Sequence, residues 1–145
     1  MSTAPAVSAE KLYSVVIVED EAILALSLER SLREFRLEVR GVAATAEAAI
    51  ALADRERPDV VLMDIRIQGA RDGIEAADVI RSRHDAAVVV LTANSDPKTV
   101  RYMMSTASIR GTFWRMMNAT PGSIADAITI AVRMRRRRSW RSQTT

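Results

Sequence analysis

The sequence of 145 residues contains no cysteine and only one histidine, His84. The lack of cysteine excludes disulfide bonds, zinc sites built from thiolates and a cysteine nucleophile. A single histidine also argues against a histidine-rich metal centre and against a Ser-His-Asp catalytic triad. At the end of a predicted helix, His84 is interpreted as a polar terminating residue rather than as a ligand.

Long hydrophobic runs are also missing. No apolar stretch approaches the ~18–20 residues that a bilayer-spanning helix requires. The first ten residues lack the positive start and the apolar centre of a secretory signal. We therefore expect a cytoplasmic protein without a membrane span. Its length, with 48% hydrophobic and 27% charged residues, is typical of one globular domain.

The positive charge is concentrated near the end of the chain. The formal net charge is +3, but without the six arginines of 133–141 the 21 basic residues become 15, against 18 acidic residues. The mildly acidic body argues against nucleic-acid binding, which is expected at most through the basic tail. Three interpretations of this run stay open: a solvated helix end, a contact for phosphate backbones or anionic lipids, and a pairing surface for an acidic partner.

Three short apolar segments share one organisation. Each contains about five residues rich in valine and isoleucine, and each is apolar on both faces. They are 14–18 before Glu19-Asp20, 59–63 before Asp64, and 86–91 before Thr92. Such segments are typical of strands in a parallel sheet that is covered by helices on both sides. Two weaker strands are predicted at 36–42 and 110–116.

Amphipathic segments alternate with these strands. The predicted helices are 21–35, 45–57, 73–83, 96–106 and 121–138. The first is expected to use the row Ile23, Leu24, Leu28 and Leu32, which recur at helical spacing. The β-α order, repeated five times, predicts an α/β fold with a doubly wound parallel sheet. Ligands bind beyond the carboxyl ends of the strands in such folds.

The predicted strand ends place Glu19, Asp20, Asp64 and Thr92 at one edge of the sheet. Carboxylates that lie within a few ångströms raise one another's pKa values unless a cation is bound. Oxygen ligands favour a hard ion such as Mg²⁺. An acidic cluster with a hydroxyl opposite it therefore favours phosphoryl chemistry, in which a carboxylate can act as the nucleophile.

Four segments, in this order, resemble the receiver domain of two-component response regulators. They are Val-Ile-Val-Glu-Asp-Glu from 16, Pro-Asp-Val-Val-Leu-Met-Asp-Ile-Arg-Ile from 58, Asp-Gly-Ile-Glu-Ala-Ala from 72 and Val-Val-Val-Leu-Thr-Ala from 88. The resemblance covers about residues 13–132. It implies a flavodoxin-like, five-stranded (βα)5 fold with strand order 2-1-3-4-5. The expected organisation is a flexible arm at 1–12, a receiver domain at 13–134 and a basic arginine-rich tail at 135–145.

The resemblance also implies roles for individual residues. Asp64 matches the aspartate that accepts the phosphoryl group. Glu19 and Asp20 match the acidic pair that binds Mg²⁺, and Arg66 would contribute its backbone carbonyl as a further ligand. Thr92 matches the hydroxyl residue that reorients toward the phosphoryl group when the domain switches between two states.

The chain departs from the family at the end of the fifth strand, where receivers have a lysine that contacts the phosphoryl oxygens. One register, anchored on Gly111, places Arg115 at this position. A second register, anchored on Pro121, places Asn118 there. We prefer Arg115 because the position requires a cation, although an arginine can also pair with Asp64 before any phosphoryl group arrives.

These features predict a single-domain bacterial response regulator. It would accept a phosphoryl group on Asp64 from a histidine kinase or a histidine phosphotransfer protein, with Mg²⁺, and signal through protein contacts. Any enzymatic activity would be limited to self-phosphorylation and self-dephosphorylation. The apolar stretch Tyr102–Met117, with the last helix, is the expected homodimer surface. The alternative is a degenerate receiver-like interaction module that does not use phosphorylation.

Overall fold

The computed structural model describes residues 11–92, 98, 113–116 and 121–142. The strands are β1 (Ser14–Val18), β2 (Glu38–Ala43), β3 (Val60–Asp64), β4 (Ala87–Thr92) and β5 (Phe113–Met116). The helices are α1 (Ala22–Glu34), α2 (Ala46–Glu56), α3 (Gly73–Arg83) and α4 (Pro121–Ser142). Most of the predicted arm at 1–12, of the helix at 96–106 and of the surface at Tyr102–Met117 lies outside the described residues.

The five strands form one parallel sheet in the order β2-β1-β3-β4-β5, which confirms the predicted doubly wound fold. The two central strands, β1 and β3, are direct neighbours, and Val18 pairs with Met63 at their carboxyl ends. The next residues along each strand, Glu19 and Asp64, therefore emerge side by side. On the other side of β3, Asp64 pairs with Leu91 of β4. The topology thus brings three strand ends to one edge.

Successive residues of the central strands enter different cores, which explains why these segments are apolar at every position. Val16 and Val18 pack in the core that α2 and α3 cover. Val15 and Ile17 pack in the core that α1 and α4 cover. All four side chains are fully buried. Two of the helices that the structure describes therefore pack on each face of the sheet, and the site edge lies at the ends of the strands.

The predicted buried row of α1 is wrong at its first position. Ile23 is 80% exposed, whereas Ala25 and Leu32 are buried and Leu28 packs against the same core. The row Ala25–Leu28–Leu32 has the same helical period as the predicted one but is rotated around the helix. This rotation leaves Ile23 and Leu26 exposed near the start of α1. We call these two side chains the α1 apolar pair.

The last helix continues to Ser142, beyond the predicted end at Arg138 and through most of the expected basic tail at 135–145. Its continuation agrees with the sequence, since no glycine or proline follows Gly122 and arginine is a good helix former. No helix among the described residues is long and apolar enough to cross a membrane.

Gly73, the first residue of α3, lies against the end of β3. Its N–H donates a hydrogen bond to the carbonyl of Ile65 (3.0 Å), and the Asp72 carboxylate caps the helix by accepting from the N–H of Glu75 (2.9 Å). A β-carbon at position 73 would lie 2.2 Å from the carbonyl oxygen of Asp64. Only glycine permits this approach, which fixes the backbone that carries Asp64.

We expect Gly73→Ala to lower the free energy of unfolding by about 2–3 kcal/mol, since the added methyl group collides with backbone that cannot move aside. Urea denaturation monitored by circular dichroism measures the change. Gly122→Ala is the matched control, because a β-carbon there meets only the ring of Phe35, at 3.5 Å. Equal losses of stability in the two variants would contradict the packing argument.

Candidate functional site

Three carboxylates converge at the carboxyl edge of the sheet. Glu19 follows β1 directly, and its N–H extends the ladder to β2 by donating to the carbonyl of Ala43 (2.9 Å). Asp20 follows Glu19, and Asp64 is the last residue of β3. One carboxylate oxygen from each of the three lies within 4.8 Å of the others. The proximity expected from the strand ends is therefore present in the fold.

Burial determines the protonation of Glu19. The residue is only 4% exposed, and desolvation raises the pKa of its carboxyl from 4.5 to about 7. The N–H of Glu21 donates to Oε1 (3.0 Å) and opposes this shift, while the neighbouring Asp64 and Asp20 carboxyls add to it. Without a cation, Glu19 therefore holds a proton over much of the acidic range.

Asp64 is also shifted, and chiefly by desolvation, which raises its pKa. The N–H of Arg66 donates to Oδ1 (3.1 Å) and favours the ionised form, as does the hydrogen bond from Glu19. The charge of Asp20 acts in the opposite direction. Burial thus shifts the pKa values of both carboxyls upward, and a proton within the cluster stabilises the site when no cation is bound.

The donor set fits a hard divalent cation. All three groups offer carboxylate oxygens, the ligand type that Mg²⁺ and Ca²⁺ prefer. The ion pairs of Arg33, Arg40, Arg55, Arg83 and His84 are all formed with carboxylates outside this cluster. A bound cation would offset the negative charge of the cluster in place of a proton.

For the other predicted site residues, the course of the backbone gives their positions relative to Asp64. Arg66 lies two residues after Asp64 and is exposed. Thr92 ends β4, one residue beyond the Leu91 that pairs with Asp64. Arg115 pairs with Leu91 from the side of β5, so both positions belong to the same edge. Asn118, the alternative to Arg115, lies outside the described residues.

Two features near the site had only weak signals in the sequence. The dipeptide Asp72-Gly73, in the segment after Asp64, is typical of a turn, whereas the close approach of Gly73 to the end of β3 is visible only in three dimensions. The same segment is joined to the start of α2 by an isolated parallel bridge between Thr45 and Gln68. The only signal in the sequence for the close approach of Gly73 is a glycine that directly follows a helix-capping aspartate.

His84 takes no part in the site. It ends α3, as the sequence indicated, and its Nε2 lies 2.5 Å from Oδ1 of Asp54. Arg83 contacts the other oxygen of the same carboxylate at 2.9 Å, and these contacts lower the pKa of Asp54, the hydrogen bond with His84 first. The three side chains join α2 to α3 on one face of the sheet.

The fold and the acidic edge together define a receiver-type domain. The family model of the response regulator receiver domain matches residues 15–111, and the chain belongs to this family. Transcriptional regulatory protein PdtaR of Mycobacterium tuberculosis is 44% identical over 81 residues, which cover 56% of this chain and 39% of that protein. Response regulator GacA of Pseudomonas aeruginosa is 35% identical over 100 residues, which cover 67% of this chain and 46% of GacA.

A solved structure agrees with this assignment. The signal receiver domain of a modulated diguanylate cyclase from Desulfovibrio desulfuricans is 26% identical, with a TM-score of 0.77, and the match covers 87% of this chain and 98% of that domain. The matches with PdtaR and GacA span less than half the length of those proteins. What the chain shares with them is thus the receiver portion and its place in two-component signalling.

The raised pKa of Glu19 predicts a pH-dependent stability in metal-free buffer. An acid whose folded-state pKa lies above its unfolded value stabilises the fold below the unfolded pKa and loses that contribution as the pH rises through the folded pKa. Between pH 4.5 and about 7, we expect the free energy of unfolding to fall by about 1–2 kcal/mol, allowing for solvent screening.

The check is a series of urea denaturation curves in EDTA over this pH range, for the natural chain and for Glu19→Gln. Glutamine cannot ionise, so the stability of the variant should gain on that of the natural chain as the pH rises. Parallel pH profiles for the two proteins would show that Glu19 is not the group responsible.

Proposed function

We propose that this chain is a cytoplasmic response regulator that accepts a phosphoryl group on Asp64. The donor would be the phosphohistidine of a histidine kinase or of a histidine phosphotransfer protein, and the reaction would require Mg²⁺. The observation that carries the proposal is the convergence of three carboxylate oxygens within 4.8 Å at the carboxyl edge of the sheet. Membership of the receiver family supports it.

The chemistry follows from the groups at this edge. A carboxylate oxygen of Asp64 attacks phosphorus, a P–O bond forms, and the P–N bond to the donor histidine breaks with its electron pair retained by the imidazole nitrogen. The N–H of Arg66, 3.1 Å from Oδ1, restricts the orientation of the attacking carboxylate. Only the ionised form can attack, and since burial raises the pKa of Asp64, a bound cation would favour the reactive form.

The carboxylates of Glu19, Asp20 and Asp64 and the backbone carbonyl of Arg66 are the groups that would hold Mg²⁺. When bound, the ion neutralises charge on the phosphoryl oxygens. Glu19, which is buried, and Asp20, which is half-buried, would thus act by positioning the ion. The resulting phosphoaspartate adds negative charge at the end of β3, directly beside the end of β4.

Thr92 and Arg115 would complete the contacts with the phosphoryl group. Their backbone positions, on β4 and β5, lie at the same edge as Asp64. A threonine hydroxyl can donate to a phosphoryl oxygen, and a guanidinium can contact two such oxygens at once. Arginine is larger than the lysine of other receivers, so the phosphoryl group would be held by a broader and more rigid cation.

The α1 apolar pair offers a docking surface for the phosphodonor. α1 begins two residues after Asp20, and Ile23 and Leu26 are 80% and 56% exposed. Exposed aliphatic side chains beside a reaction site favour protein contact. A donor protein seated on this pair would bring its histidine toward Asp64, so that phosphoryl transfer would depend on protein contact.

We expect Asp64→Asn to abolish phosphorylation, because an amide cannot form the acyl phosphate. The assay incubates the full chain with acetyl phosphate and Mg²⁺ and measures the gain of one phosphoryl group by intact-mass spectrometry. EDTA should remove the signal from the natural chain. Asp78→Asn, on the exposed side of α3, removes an equal charge and should leave labelling unchanged.

Labelling of Asp64→Asn at the natural level would remove Asp64 from its role. Absence of labelling in the natural chain, with acetyl phosphate and with phosphorylated donor proteins alike, would instead support the degenerate interaction module. The two results are distinguishable because the first leaves phosphorylation intact and the second does not.

Arg115→Lys tests which residue replaces the family's lysine. A compact ammonium should fit the phosphoryl oxygens better than a guanidinium, which is able to pair with Asp64 before any phosphoryl group arrives. We expect uptake from acetyl phosphate to accelerate up to about tenfold, equivalent to ~1.4 kcal/mol in the barrier. An unchanged rate in Arg115→Lys, with acceleration in Asn118→Lys, would assign the position to Asn118.

A further inference from the structure

α4 consists of two parts with different sequences. Its first part belongs to the core through a row of buried residues: Ile124, Ala125, Ala127, Ile128, Ala131 and Val132. Arg133 and Met134, which follow Val132, are exposed. The helix then continues to Ser142, which adds about 15 Å beyond Val132 at 1.5 Å per residue. We call residues 133–142 the arginine helix.

The arginine helix continues the helical period but not the apolar row. The row formed by Ile124, Ile128 and Ala131 recurs at positions 135, 138 and 142, which are arginine, arginine and serine. Of the ten positions, six are arginine and only two, Met134 and Trp140, are apolar. Burial against the core therefore does not account for the helical continuation of the chain.

The charge of this segment has no partner within the helix. The last acidic residue of the chain is Asp126, seven positions before Arg133, so no carboxylate stands one turn away from any of the six arginines. Arg133, Arg137 and Arg141 follow one another at four-residue spacing, where like charges destabilise a helix. An external anion would remove this repulsion.

The helix dipole explains only part of the pattern. Its attraction for cations is confined to the last turn, which here contains a single arginine, Arg141. The arginines from 133 to 138 lie more than one turn before the last residue of the helix. A solvated helix end is therefore not sufficient to explain their number, and a bound polyanion explains all six together.

We propose that the arginine helix binds the phosphate backbone of a nucleic acid. Guanidinium groups contact phosphate oxygens in pairs, and an α-helix fits the major groove of a DNA duplex. A helix that lies on a membrane needs a continuous apolar face opposite its basic face, and Met134 and Trp140 alone do not provide one. Because the remaining chain carries more acidic than basic residues, binding is confined to this helix.

The test is fluorescence anisotropy of the full chain with a labelled 20-bp DNA duplex and with a labelled RNA hairpin, between 50 and 200 mM salt. The variant replaces Arg135, Arg136, Arg137 and Arg138 by glutamine, which keeps a good helix former at each position. We expect at least tenfold weaker binding at 50 mM salt. The slope of log affinity against log salt should fall by about 3–4, since each phosphate contact contributes about 0.9.

The matched control replaces four exposed arginines of the body, Arg30, Arg36, Arg57 and Arg71, by glutamine. Its charge change is identical, and its affinity and salt slope should stay within about twofold of the natural values. Binding of either nucleic acid that depends on the arginine helix supports the proposal, and it requires neither Asp64 nor phosphorylation.

Three results would overturn the proposal. The first is no binding to either probe at 50 mM salt, and the second is equal weakening in the two variants, which would indicate diffuse attraction by net charge. The third is stronger binding to vesicles of phosphatidylglycerol and phosphatidylcholine, or to poly-glutamate, than to both nucleic acids. Those last two ligands represent the membrane and the acidic protein partner respectively.

Discussion

The structure depends on one electrostatic constraint: three carboxylates are held within 4.8 Å of one another at the ends of two adjacent buried strands. The strands are fixed by apolar cores on both faces, so the carboxylates cannot move apart to relieve their repulsion. Burial raises the pKa of Glu19 to about 7, and the neighbouring Asp64 and Asp20 carboxyls add to this shift, so a proton relieves the repulsion in the metal-free protein. A divalent cation relieves it better, and this competition couples metal binding to pH.

The elements that could be predicted from the sequence are those with a repetitive signal. Strands that are apolar at every position indicate a sheet covered on both faces, and a carboxylate after each of two such strands indicates convergence at one edge. Ile23 shows the limit of this reasoning, because helical periodicity predicts an apolar row without fixing which of two neighbouring rows faces the core. Gly73 shows a second limit of sequence-based reasoning. A close approach between two backbone segments has no signal in the sequence other than the glycine itself.

Around the site, the start of α3 fixes the backbone, and the start of α1 offers an exposed surface. Gly73 lets α3 begin against the carbonyl of Asp64, and this contact limits the positions that Asp64 can adopt. The α1 apolar pair follows Asp20 in the sequence, whereas Gly73 follows Asp64, and the pair remains exposed. A docked partner would therefore contact α1 without displacing the residues that fix Asp64, so donor recognition and nucleophile positioning are separate tasks.

Phosphorylation and nucleic-acid binding would be linked through α4. Added charge at Asp64 acts weakly on the arginine helix through solvent, because salt screens charges beyond about 8 Å. Packing offers a direct route: Ile124 and Ile128 of α4 share a core with Val89 and Leu91 of β4, and β4 ends at Thr92. A movement of Thr92 toward a phosphoryl group would shift the strand on which α4 rests. Since linkage is reciprocal, a nucleic acid bound to α4 would change the stability of phosphoaspartate by the same free energy.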